Sequence, residues 1–110
     1  MRYDGRHHWV MFIAILDFHT AAADRLAALA QLDTERDQIR AMPGNLAFRV
    51  YADRDDDTAI TVVHEWQDEV SFAPYLSSEA FTRSGAVLRP LMTQAPLSRR
   101  FHADLLETVA

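Results

Sequence analysis

The sequence predicts an α+β domain, a four-stranded antiparallel sheet with two helices packed on one of its faces. Three observations lead there. Apolar residues run or alternate in four segments of strand length, and two longer segments repeat them at helical spacing. The resulting order, strand, helix, strand, strand, helix, strand, admits few topologies once crossovers are right-handed and neighbouring strands pair locally. Finally, 110 residues at 49% hydrophobic and 25% charged suit one globular domain and leave no room for a second catalytic one.

Residues 1–8 are polar and of mixed charge and read as an arm, so the single domain is expected over residues 9–106. Residues 9–18 are rich in aromatic and β-branched side chains, and they are apolar on both alternating faces as far as Asp17, which describes a strand covered on both sides. Thr20 is the expected N-cap of a helix over residues 21–40, whose Ala22, Leu26, Leu29, Leu32 and Ile39 fall on one face. Met42-Pro43-Gly44-Asn45 stops that helix, because proline cannot continue it and glycine tolerates a positive φ.

Residues 46–52 and 59–66 read as the strands of a hairpin joined by the acidic segment 53–58. Asp68 caps a second helix over residues 69–82, which either kinks at Pro74 or starts instead from Ser71. Residues 85–92 add a helical turn or two, interrupted by Pro90 and ended by Pro96, and residues 97–106 form the last strand. The whole is the ferredoxin-like βαββαβ arrangement. Its helices cover one face of the first strand only. A second copy covering the other gives a homodimer with a continuous barrel-like core, and a small domain gains buried surface that way.

Several function classes fall away. With no cysteine, thiolate nucleophiles, disulfides and sulfur-ligated metals are excluded. A net charge of −5 and the lack of any basic stripe argue against nucleic acid or an anionic membrane as partner. The longest apolar run, residues 9–16, is far short of the roughly 20 residues that span a bilayer. Arg2 and Arg6 before that run, and Ala21 and Ala23 after it, mimic a signal peptide, but Asp17 and His19 interrupt the approach to the cut, so the run is read as structure and a cytoplasmic location is expected.

No metal or other cofactor is expected. His19, His64 and His102 are scattered, and His7 and His8 sit in the arm. Asp53, Asp55 and Asp57 imitate the start of a calcium loop, yet Thr58 stands where its glycine belongs and His64 where its closing glutamate belongs, so a solvated hairpin turn is the reading.

Three pieces, Met42-Pro43-Gly44-Asn45-Leu46, Val62-Val63-His64-Glu65-Trp66-Gln67-Asp68-Glu69 and Ser77-Ser78-Glu79-Ala80-Phe81, together resemble the antibiotic biosynthesis monooxygenases, small dimeric α/β barrels, and the likeness spans about residues 9–104. The resemblance implies a pocket between sheet and helices and oxygenation of a phenolic or quinol-type aromatic by dioxygen without a cofactor. Trp66 matches the aromatic that ends the third strand in that family. Relatives that degrade haem carry an Asn where this chain has Ala14 and a His where it has Tyr75 or Leu76, which disfavours haem chemistry here. Quinone-forming relatives carry an Asn where Val62 stands, and many members a Glu in place of His64. A dimeric ligand-binding or stress-response module of the same fold is the alternative reading.

Alternation places Ile60, Val62, His64 and Trp66 on one face of their strand, so His64 and Trp66 are neighbours. Triplet dioxygen reacts slowly with neutral organic molecules but takes an electron from a phenolate, so a cofactor-free oxygenase must form and hold such an anion. His64 is the candidate base, and Trp66 and Tyr75 the candidate wall for the ring. Each also has a purely structural reading, a satisfied core histidine and packed aromatics. Asn45, Arg49 and Arg83 are the substrate-binding candidates, with a turn role for Asn45 and surface ion pairs for the arginines as the alternatives.

Overall fold

A computed structural model describes residues 2–3 and 9–110, with side chains from Val10 onward. Apart from Arg2 and Tyr3, which form the short strand β1 beside Trp9 and Val10, the expected arm lies outside the described residues. The remaining elements are β2 (Trp9–His19), α1 (Arg25–Arg40), β3 (Asn45–Ala52), β4 (Ala59–Trp66), α2 (Glu69–Leu76), α3 (Glu79–Leu88) and β5 (Leu97–Leu105). The four long strands stand in the order β5-β2-β4-β3, all antiparallel, and form the expected ferredoxin-like sheet, which stays open.

Two expectations about the helices need correction. Thr20 does not cap α1. Its backbone N–H donates to the Thr58 carbonyl at 2.9 Å and it bridges to Met92, so it prolongs the sheet, and the helix enters through a 3-10 turn, Ala22–Asp24, without a side-chain cap. The buried stripe of α1 is Ala28, Leu32, Glu35 and Ile39, whereas Leu26 is exposed.

The single helix expected over residues 69–82 is two helices. Asp68 does cap α2, accepting from the Ser71 N–H at 2.8 Å. Pro74 then denies the helix one backbone donor, and α2 ends at Leu76. Ser78 starts α3 afresh by accepting from the Phe81 N–H at 3.1 Å, and Pro90 falls in the 3-10 turn Arg89–Leu91 that closes it.

At the end of α1, Gly44 takes a φ of +82°, and a Cβ there would collide with the Ser71 side chain. The acidic hairpin turn satisfies itself: Asp53 Oδ1 accepts from the N–H groups of Asp55 and Asp56, and Asp56 Oδ1 from Thr58. Arg25 donates to the carbonyls of Asp53 and Asp56 at 3.0 and 2.9 Å and ties this turn to the start of α1. Among the described residues no group of three or more His, Cys, Asp or Glu side chains is gathered for a metal, and no helix is long and apolar enough to cross a membrane.

The core lies between the sheet and the helices. Phe12, Ala14 and Phe18 of β2, Phe48 of β3 and every second residue of β4 are buried there against Leu32, Ile39, Phe72 and Leu88. The opposite face carries Ile13 and Ile15 of β2, Val63 of β4 and Phe101 of β5, a patch flanked by Arg49–Glu65 and Asp17–Arg99 ion pairs, each at 3.2 Å.

Candidate functional site

The strict alternation of β4 sends Ile60, Val62, His64 and Trp66 toward the helices. Sheet register sets His64 between Ala14 of β2 and Phe48 of β3, so the imidazole has a small neighbour on one side and a ring on the other, 5.6 Å between centroids. From above, α2 lowers Tyr75 and Phe72 onto it. Tyr75 lies 5.2 Å from His64 and 5.8 Å from Trp66, centroid to centroid. The capped start of α2 at Asp68 fixes these two aromatics in place.

His64 is only 5% exposed and Trp66 not at all. The Trp66 indole N–H donates to His64 Nδ1 at 2.8 Å. An indole nitrogen can only donate, so this bond requires Nδ1 to be unprotonated. Burial, and then the positive charge of Arg100 on β5, push the imidazole down to about 4, so it is neutral at pH ~7 with its proton on Nε2. Burial likewise pushes the Tyr75 hydroxyl up to about 12, keeping it protonated.

The base role expected of His64 does not fit this geometry. One nitrogen is occupied by Trp66 and the other already carries the proton. Accepting a proton at Nε2 would require the opposite tautomer, with an Nδ1–H turned against the indole N–H, and would leave a cation in a buried site.

His64 and Tyr75 line a cavity of about 130 Å³ between sheet and helices. That is roughly the size of a pocket that holds a benzene ring. Its walls are mostly apolar, Leu16, Leu32, Val62 and Leu88 among them, and the exposed Arg89 and Pro96 stand at its rim. Trp66 is not a wall residue; it packs behind His64. Of the two residues at the position where haem-degrading relatives carry a His, Tyr75 lines the cavity, whereas Leu76 is partly exposed.

The three substrate-binding candidates lie elsewhere. The Asn45 amide donates to the carbonyls of Ala47 and Glu65 at 3.3 and 3.5 Å, closing the irregularity at the start of β3. Arg49 pairs with Glu65 on the open sheet face. Arg83 is committed to the buried Glu35, with Nε and Nη2 reaching its two oxygens at 2.8 and 2.9 Å, and it also bonds Gln38. The guanidinium holds the Glu35 carboxyl below its usual range, and this pair joins α1 to α3.

Ser84, which sequence reasoning missed, lines the cavity at 7% exposure, and its hydroxyl finds no hydrogen-bond partner among the described residues. Its signal was present: Ala80, Ser84 and Leu88 recur every four residues along the buried stripe of α3, a stripe divided when the helix is placed as ending near residue 82.

The comparisons agree with this architecture. The family model for antibiotic biosynthesis monooxygenases matches residues 11–86. No curated protein matches the chain. Among solved structures, a conserved protein from Methanosarcina mazei Go1 superposes with a TM-score of 0.80 at 13% identity, over 84% of this chain and 92% of that one. Rv0793 from Mycobacterium tuberculosis gives 0.79 at 19% identity, over 90% of this chain and 99% of that one. An antibiotic biosynthesis monooxygenase gives 0.77 at 18% identity, over 84% of this chain and 97% of that one. At such identities the superpositions speak for the fold, and the family match covers more than half the chain: it belongs to the antibiotic biosynthesis monooxygenase family.

Proposed function

We propose that this protein is a cofactor-independent monooxygenase that oxidises a small phenolic or quinol-type aromatic with dioxygen, and that it works as a homodimer. The observation that carries the reading is the apolar, ring-sized cavity walled by His64 and Tyr75 and backed by Trp66. The chemistry needs no outside reductant: one oxygen atom enters the ring, the other leaves as water, and the substrate supplies both hydrogens as it becomes a quinone. The ring stacks on the aromatic wall, and the apolar lining keeps bulk water from the electron-rich intermediate.

The homodimer is supported by the open sheet face and by extension of the chain. Its radius of gyration is 15.0 Å, against the about 13 Å of a closed domain this size. Phe101 and Leu97 of β5 are 43% and 57% exposed beside Ile13, Ile15 and Val63, and a second copy of the same face covers them.

Oxygen uptake by metal-free, flavin-free protein across a panel of phenols and quinols tests the activity, with one atom of labelled dioxygen expected in the product. Absence of uptake with every phenol the protein demonstrably binds overturns it. In that event the second reading stands, a dimeric module that holds an aromatic without turnover, which the engagement of His64 Nδ1 by Trp66 favours.

A further inference from the structure

We propose that His64 serves this cavity as a fixed hydrogen-bond donor, with Trp66 as the positioning residue that sets its tautomer, so that the site selects ligands presenting an acceptor oxygen, a quinone-type carbonyl or a phenolate. The inference rests on the oxygenase reading for its substrate class and on the geometry alone for its chemistry.

Three observations carry it. The Trp66 N–H occupies His64 Nδ1 at 2.8 Å, which leaves Nε2 as the protonated nitrogen. Nε2 has no protein partner among the described residues, and it is not one of the buried side-chain atoms shut away from both solvent and partner, so on a residue that lines the cavity it is free to meet a ligand. A further polar group in the lining, Ser84 Oγ, is buried and without a partner among the described residues, and a buried hydroxyl without a partner is costly until something fills the place. With Tyr75 in the wall and Arg89 at the rim, these two open donors in a mostly apolar, ring-sized space describe a receptor for one oxygen on one ring.

The charged surroundings act in the same direction. Arg100 reaches over Phe72, 5.1 Å from its ring centroid, and its field disfavours a protonated His64. Tyr75, the other titratable group against the imidazole, keeps its proton. A phenolate accepts from His64 and meets a positive potential, whereas a neutral phenol finds no acceptor at Nε2.

The composition fits a quinone-handling site independently. The chain contains neither cysteine nor lysine, so all eleven of its basic residues are arginine. Thiols and primary amines are the side chains that quinones alkylate most readily, and guanidinium is not nucleophilic at neutral pH.

The test uses wild-type protein, Trp66→Phe and His64→Phe, with 1-indanone as an acceptor-only probe and indane as its counterpart without the carbonyl. Nitrogen-15 spectra of the histidine rings should show His64 as the Nε2–H tautomer in wild type and a mixture of tautomers in Trp66→Phe. The carbonyl stretch of bound 1-indanone should shift to lower frequency in wild type and lose that shift in His64→Phe, with affinity falling about tenfold while indane binding is unchanged. An Nδ1–H tautomer in wild type, no binding of 1-indanone, or an unaltered stretch in His64→Phe overturns the proposal. Oxygen uptake is a separate readout: its absence beside an intact tautomer and a shifted stretch sinks the oxygenase reading and leaves the donor standing.

Discussion

Val62 and Val63 are adjacent, chemically identical, and in opposite worlds. Val62 is 2% exposed and lines the cavity, while Val63 looks out from the open face between Ile15 and Arg49. The same division runs through the sheet. Every second residue of β4 is buried, yet most of β5, on the other side of β2, is exposed on both faces, because α2 packs on β2 and β4 and meets the outer strand only through side chains, Phe72 beneath Arg100 and Glu69 beside His102. Burial in this molecule is set by where the helices end. The site occupies the covered side, and the other side is the face on which the proposed second copy would pack.

The sharpest way to break the comparison is to place one charge on either side of it. Val62→Arg forces a guanidinium into the core and should cost more than about 4 kcal/mol, abolishing a cooperative thermal transition by circular dichroism. Val63→Arg should leave the folded chain's secondary structure intact while raising the dimer dissociation constant at least about 100-fold, equivalent to about 2.7 kcal/mol, read by sedimentation across a concentration series. A Val63→Arg protein that remains as dimeric as wild type counts against the open face as the interface.

The smallest effect sharpens the covered side. His64 titrates near 4 when folded and near 6.5 when unfolded, so the unfolded chain binds more protons between those values. Stability is therefore complete above about pH 6.5 and is lost as the pH falls toward 4, by about 2 kcal/mol between pH ~7 and pH ~5. Urea titrations at the two pH values should show this slope in wild type and a flatter one in His64→Phe. The Glu35 carboxyl, held below its usual range by Arg83, gives way only at lower pH and so does not obscure the window.

The strands were legible because a period of two survives any tertiary context that covers one face, as β4 shows from Ala59 to Trp66. Helix boundaries were less so. Thr20 has the side chain of a cap, but the Thr58 carbonyl and the Met92 bridge compete for its backbone, and the sheet wins. The break at Ser77 had its signals in Pro74 and Ser78, and Pro74 was read for its kink rather than for the restart that Ser78 makes possible.

At the site, the spacing of His64 and Trp66 places them on one face, but which ring nitrogen meets the indole depends on rotamers that no spacing encodes. Arg83 shows the same limit: its i, i+4 partner Glu79 was visible in the sequence, and the stronger partner Glu35, from a different helix, was not.

The sheet's central strand carries a consequence for how the chain reaches its native state. β2 is the first long element synthesised, and one of its two edges is closed by β5, the last, with Trp9 opposite Leu105. Until the final residues are available, β2 pairs with β4 and the short β1 but leaves the edge that β5 will close as a bare apolar edge to whatever else is in solution. Closing that edge is the most sequence-distant step in the topology, which makes it slow. A chain cut short before Leu97 would keep both cavity walls on β4 and α2 yet display this unpaired edge permanently, and its fate would be edge-to-edge aggregation rather than a smaller working domain.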